Sequence, residues 1–396
     1  MTAAVALPRA RNHPLDPPAE YDLMRADGPV VRLRLAADRL GWLVIGHAEA
    51  RAMLSDHRFS AQRTPGPVAV RDVDTRLVQR QSRLGALPRM DPPEHTRYRR
   101  LLGRHFSPHR LARLAPRIEQ ITAEHLDAMI TAGPPADLVT AFAAPIATQV
   151  ICELLGVSYS ERRTIWARTS SLLTVDTPPS TLLAQHAAAL AFMHRTIEAK
   201  RCTTDEDLLG VLVRSDTGMS GDELAGVGNL LLTTGHEEPA NMIALAVVAL
   251  LEHPGQLAQL HHDPTLIDHA IEELLRHQTI LHYGLARTAT EPIELGGQVI
   301  EPGESALAAL PAANRDPAVY PNPHVLDLTR TQTGHLAFGH GIHQCLGQHL
   351  TRLQLRITLS QLLRRVPTLR LAASIDRIPF RDNMFIYGAH QLPVTW

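Results

Sequence analysis

The chain of 396 residues predicts one mainly α-helical domain with small β-sheets. Three observations predict it. Strand-like alternation is confined to three short segments, residues 29–46, 293–303 and 385–396, and between them apolar residues recur at helical spacing. One helical run is long enough to cross the whole molecule. No Gly/Ser tract, charge block, low-complexity run or repeat marks a linker, so residues 1–396 read as a single domain although length alone suggests two or three.

Each element has its own justification. Residues 29–46 (PVVRLRLAADRLGWLVIG) alternate as a hairpin does. Residues 91–99 (DPPEHTRYR) open a helix, with prolines in its first turn where a missing N–H costs little. His95 and Arg99, four apart, share a face, which by itself reads as a solvated basic surface. Residues 172–181 (LLTVDTPPST) have the composition of a lid loop. The longest helix starts at Ser220, with Glu223 completing a capping box, and is stopped by Pro254 after about 50 Å. Glu273 and Arg276 lie on a later helix, opposite Ile267, Ile271, Leu274 and Leu275, where a surface ion pair is the default. Residues 293–303 (IELGGQVIEPG) form a second hairpin, turning at Gly296 and Gly297. Leu350, Leu353, Ile357 and Leu362 mark a buried amphipathic helix over 348–366, and residues 385–396 read as strand.

Composition removes several function classes. A net charge of −1 gives no reason to invoke nucleic acid or an anionic membrane. Three cysteines, Cys152, Cys202 and Cys345, cannot make a disulfide framework and fit a reducing compartment. Cys152 sits in an apolar run and reads as buried and inert. The N-terminus lacks a basic region and a long apolar stretch, so a soluble, cytoplasmic protein is expected.

The segment from Phe338 to Gly347 (FGHGIHQCLG) carries the chemistry. Cys345 lies in a Gly-bracketed loop just before a helix, whose free amides and partial positive charge stabilise an anion such as a thiolate. Gly341 and Gly347 let the backbone turn sharply and approach something flat and bulky. A lone thiol is more often a buried structural one. A zinc site is another reading, because His335, His340, His343, Cys345 and His349 crowd the segment, but structural zinc wants a second ligand cluster.

The spacing F-x-x-G-x-H-x-C-x-G resembles the haem-binding loop of the cytochrome P-450 family, bacterial soluble type. The resemblance covers nearly the full chain, including a long central helix over the haem. It implies that Cys345 is the axial thiolate to the iron of haem b (iron protoporphyrin IX), a ligation that favours O–O cleavage. It implies that Phe338 packs near the sulfur, that Gly347 belongs to the same loop, and that His343, His95, Arg99 and Arg287 reach the propionates. It implies a buried Glu273–Arg276–Arg330 triad holding the loop, with O2 as co-substrate and electrons from NAD(P)H through a reductase and a ferredoxin. Arg97, Arg100, Arg104, Arg352 and Arg356 would face that acidic donor.

The chain departs from the family on the long helix. Where the family reads A-G-x-[DE]-T-[TS], residues 234–239 read T-G-H-E-E-P. Thr234, Gly235, Glu237 and Glu238 are the catalytic candidates, Glu237 filling the acid position and Glu238 replacing the threonine that helps deliver protons. Pro239 removes a helical hydrogen bond and pushes on the Gly235 carbonyl, so a kink or opening is expected. The substitution suggests radical C–C or C–N coupling of an aromatic substrate, such as an aromatic cyclic dipeptide, rather than oxygen insertion. A peroxide-driven peroxygenase and a non-catalytic haem sensor or carrier are the alternatives. Resemblance places pocket walls at residues 64–89, 231–235, 280–285 and 385–388, with Leu231, Ile280, His282, Tyr283, Phe385, Ile386 and Tyr387 giving an apolar cavity with a few polar handles. An apolar or aromatic natural product of bacterial secondary metabolism is the expected substrate.

Overall fold

The computed structural model describes residues 4–35, 39–62, 84–332 and 334–396. Strands are few and short. In chain order they are β1 (Val5–Ala6), β2 (Val30–Arg34), β3 (Leu40–Val44), β4 (Phe59–Ser60), β5 (Ala136–Asp137), β6 (Leu285–Ala289), β7 (Ile293–Leu295), β8 (Gln298–Ile300), β9 (Ser305–Ala308), β10 (Arg370–Leu371) and β11 (Pro393–Thr395). The largest sheet runs β1-β2-β3-β9-β6-β4, beside a β10-β11-β5 sheet and the β7-β8 ribbon. Both hairpins expected from alternation are present, with Val30 opposite Val44 and Ile293 opposite Ile300. The C-terminal segment is strand only at β11, and Ile386 and Ala389 make single bridges to Leu281 and Phe380.

Helices make up the body. Those that frame the site are α1 (His47–Ser55), α2 (Glu94–Gly103), α3 (Ala115–Ala132), α4 (Ala144–Leu155), α5 (Arg162–Leu173), α6 (Pro179–Arg201), α7 (Leu208–Arg214), α8 (Gly221–Glu252), α9 (Ile267–His277) and α10 (Gln348–Arg365). Helix α8 begins at the expected capping box: Glu223 N–H donates to Ser220 Oγ at 3.2 Å, and Ser220 N–H to the Glu223 carboxylate at 2.6 Å. Its 32 residues span about 48 Å. From Ala240 to Leu250 every residue is buried, because α4, α6 and α10 pack around it. A helix apolar on all sides belongs in a core. No single described helix is long and apolar enough to cross a membrane; only α8 taken with the following Pro254–His262 helix passes by length and composition, across a bend of 101°.

Three local expectations need correction. Pro92 and Pro93 precede α2 instead of filling its first turn: they form a turn just ahead of it, after Asp91, whose carboxylate accepts from the Ala61 N–H at 2.8 Å. Residues 172–181 are no free lid: α5 runs to Leu173, α6 starts at Pro179, and the connector is pinned by a Thr174–Met384 bridge and the Val175 N–H to Asn383 carbonyl bond at 2.8 Å. Helix α8 runs unbroken through Pro239. Side chains bond back onto its carbonyls around that point, Thr234 to Leu230 at 2.9 Å, His236 to Leu232 at 2.6 Å and Asn241 to Glu237 at 2.8 Å.

Candidate active site

A cavity of about 250 Å³ lies between α8 and the loop before α10. Its floor is the Cys345 loop. The Cys345 N–H donates to the Phe338 carbonyl at 2.8 Å and Gly339 N–H to the Leu336 carbonyl at 2.8 Å, closing the loop on itself. The sharp turns fall at Gly339 and Gly341, whose φ values are 68° and 71°. A side chain at Gly341 would also sit 2.4 Å from the Leu54 carbonyl, so α1 packs directly on this loop. Gly347 plays a different part from the one expected. Its φ is an ordinary −83°, and its N–H bonds the Cys345 sulfur, as an amide at a helix N-terminus can. Burial pushes the Cys345 thiol up to about 12, with the Glu238 charge adding to it. Such a thiol loses its proton when a metal cation takes the proton's place.

One rim of the cavity is cationic and has little to balance it. His95 and Arg99 project from one face of α2, His343 from the loop, and all three line the cavity. Arg287 on β6 is buried beside them and acts on both histidines. The His95 and His343 rings lie 4.2 Å apart. His95 Nε2 and His343 Nδ1 are buried without a hydrogen-bond partner. Burial disfavours the charged forms, and at the two histidines the neighbouring arginines add to it: His343 falls to about 3 and Arg287 to about 10, and His95 and Arg99 are lowered as well. Asp91 acts weakly on this group and is itself bonded to Ser60 and Ala61. Buried donors left in this state call for an anion.

The opposite wall is α8, contributing Leu230, Leu231, Thr234, Gly235, Glu238, Pro239 and Met242. Thr234 gives its hydroxyl hydrogen to Leu230. Gly235 allows close packing, since a Cβ there would meet Ile151 at 2.5 Å. Glu238 faces the cavity, and burial together with Glu237 raises its carboxyl to about 7. Glu237 does not line the cavity. It is ion-paired to Arg381 and lies 3.7 Å from His236 Nε2, so this acid candidate is turned into the protein and neutralised there.

The expected triad assembles. Glu273 binds Arg276 through two bonds of 2.7 Å and Arg330 at 3.2 Å, with all three side chains buried. Arg276 further donates to the carbonyls of Asn314 and Pro323, tying α9 to the chain that leads into the Cys345 loop. The crowded histidines do not converge: among the described residues no three metal-ligating side chains cluster, and His335 pairs with Glu272 instead.

Most of the expected pocket residues are elsewhere. Leu231 and Ile280 line the cavity, but His282, Tyr283, Phe385, Ile386 and Tyr387 do not. His282 stacks on Tyr283 at 4.4 Å, Tyr283 donates to the Asp382 carbonyl, and Tyr387 donates to Pro14 under the Arg11 guanidinium. The reason is a local turn: the chain turns at residues 282–283, between the cavity-lining Ile280, Leu281 and Leu285, and Tyr283 packs into the small N-terminal core with His282 stacked on it. Leu281 and Leu285 belong to the expected 280–285 wall, whereas Leu350 and Gln354 line the cavity without having been expected to. Gln354 carries a signal, being buried with both amide atoms unpartnered. Of the 64–89 segment, residues 64–83 lie outside the described ones, while Leu87 and Pro88 are in the wall. The basic face is largely compensated: Arg97 pairs with Glu223, Arg352 with Glu272 and Arg356 with Asp268.

A sulfur at the floor, Phe338 beside it, and two arginines with two partnerless imidazoles at one rim fit a flat macrocycle bearing an iron and two carboxylates. Comparison with known proteins agrees. The model of the family described as Cytochrome P450 matches residues 180–367. The chain is 41% identical over 394 residues to Cytochrome P450 105C1 of a Streptomyces species, covering 100% of this chain and 99% of that protein. It is 42% identical over 403 residues to pentalenic acid synthase of Streptomyces avermitilis, covering 100% and 98%. The solved structure of CYP105P1 in complex with filipin I superposes with a TM-score of 0.93 at 36% identity, covering 100% and 99% of the two chains.

Proposed function

This chain belongs to the cytochrome P450 family, and from that premise we propose that it is a haem-thiolate oxidase of an apolar small molecule, cytoplasmic and fed electrons from NAD(P)H through a ferredoxin. Cys345 would hold the iron, and His95, Arg99, Arg287 and His343 would hold the propionates. The observation that carries the reading is a buried sulfur facing Arg99, Arg287 and the partnerless imidazoles of His95 and His343, which among the described residues form no ion pair. When bound, the haem supplies a thiolate-ligated iron able to activate O2.

The protein's own groups divide the remaining tasks. Glu273, Arg276 and Arg330 fix the chain entering the loop. Leu231, Ile280, Leu281 and Leu285 exclude water and bind the carbon skeleton of the substrate. Glu238 stands where the family carries a threonine, and a carboxyl near 7 gains and loses a proton readily at neutral pH. It would therefore move protons to the cavity itself, without a hydroxyl relay. The relatives named above are consistent with action on natural products.

Oxidative coupling of an aromatic substrate, with no oxygen kept in the product, is a second reading, favoured by Glu238 and Pro239 in place of the usual hydroxyl pair. Turnover under labelled O2, with ferredoxin and its reductase, separates the two. Label in the main product supports insertion and overturns coupling; unlabelled dimeric or cyclised product does the reverse. Turnover with peroxide alone would overturn the ferredoxin-fed reading.

A further inference from the structure

The cavity wall formed by α8 contains one polar group with no internal partner. Thr234 bonds back to its own helix, and the rest of that wall, with Leu87, Ile151, Leu275, Ile280, Leu281 and Leu285 around it, is aliphatic. The Glu238 carboxyl faces the same space, and among the described residues it makes no hydrogen bond and no ion pair. Glu237, a like charge already held by Arg381, acts on it, and the other titratable group facing it is the Cys345 thiol, which the Glu238 charge helps to keep protonated, so neither neutralises it.

An acid in an aliphatic wall is costly when charged and alone. Two things can neutralise it, a proton or a cation. No basic side chain serves, since the cationic rim gathers at His95, Arg99, Arg287 and His343, none of which acts on Glu238. A cation brought in by the substrate would meet a carboxylate in a desolvated site, where an ion pair is strong and its absence is felt.

We propose that Glu238 is a substrate-recognition residue, and that the substrate class is an apolar small molecule carrying an aliphatic basic nitrogen. This rests on the reading of the cavity as the haem and substrate pocket. The wall packs the carbon skeleton, and Glu238 pairs with the nitrogen and sets which part of the skeleton faces the sulfur side. A neutral isostere would leave the carboxyl unpaired and be discriminated against.

The probe is a matched pair that cannot ligate iron through nitrogen: benzyltrimethylammonium and its uncharged carbon isostere, neopentylbenzene. Binding to the haem-loaded protein is followed by the change in the haem absorption band and by calorimetry. The cation should gain on the order of tenfold in affinity between about pH 5.5 and about pH 8.5, as Glu238 ionises, while the neutral probe stays constant. Glu238→Gln should abolish that gain and lower the cation-to-neutral affinity ratio by a similar factor. A cation affinity independent of pH in the wild-type protein, or an equal ratio in the two proteins, overturns the proposal. The wild-type pH series stands even where the variant loads haem poorly. Failure of the pocket reading looks different: the protein then takes up no haem, or neither probe perturbs its spectrum.

Discussion

The two walls of the cavity are built on opposite principles. The floor is over-determined: the loop closes on itself through backbone bonds, Gly341 leaves no room for a side chain against α1, and a buried triad anchors the incoming chain. The α8 wall is locally discordant, with a proline inside the helix and an unpartnered carboxyl facing apolar neighbours. The difference teaches where this chain conforms and where it was free to change. In the proposed function the floor would hold the haem, and its residues match the family spacing. The roof would meet the substrate, and it carries the departure.

Breaking the floor should have the largest effect. Glu273→Ala leaves Arg276 and Arg330 buried without their anion, at a cost on the order of 3–5 kcal/mol. The expected outcome is loss of haem as well as lowered unfolding temperature; a normal haem-to-protein ratio in the variant would show that the triad does not hold the loop.

Changing the roof should act through pH. Glu238 is raised from 4.5 to about 7 in the folded chain, so the folded state holds this proton more tightly than the unfolded state does. Its contribution is complete below about pH 4.5, falls as pH rises toward 7, and is flat above. The loss amounts to at most about 3 kcal/mol. Glu238→Gln should therefore unfold at a higher temperature than wild type at pH 8, and the gain should vanish at pH 4. A constant difference across that range would mean the carboxyl is not perturbed.

The cationic rim comes next. Arg287→Ala removes one charge-assisted donor, worth about 1.5–3 kcal/mol, so the rate of haem transfer to apomyoglobin should rise while substrate affinity holds. Unchanged haem retention would remove Arg287 from the rim. The smallest effect belongs to residues that resemblance placed in the pocket and the structure places behind it. Tyr387→Phe loses one bond to Pro14, about 1 kcal/mol of stability, and should leave probe binding unaltered; a lost spectral response would bring Tyr387 back into the pocket.

The fold was readable because its signals are local. The capping box at Ser220, the turn at Gly296 and Gly297 and the helix behind Cys345 each follow from a few neighbouring residues. The floor was readable because a short spacing places all its groups on one loop. The roof was only half readable: the sequence shows that Glu238 replaces a hydroxyl, but not that Glu237 turns away to Arg381, 144 residues distant. The misplaced aromatics have the same cause. His282 and Tyr283 are adjacent to pocket residues in sequence, but a turn at 282–283 and the Asp382 carbonyl, 99 residues distant from Tyr283, decide which way they point.

The account depends most on the sulfur–iron bond, and one spectrum tests it. The haem-loaded protein, reduced and exposed to carbon monoxide, should show the long-wavelength band of thiolate ligation, and Cys345→His should replace it with the shorter-wavelength band of a histidine-ligated haem. A globin-like band in the wild-type protein, or a band unmoved by the substitution, would contradict it.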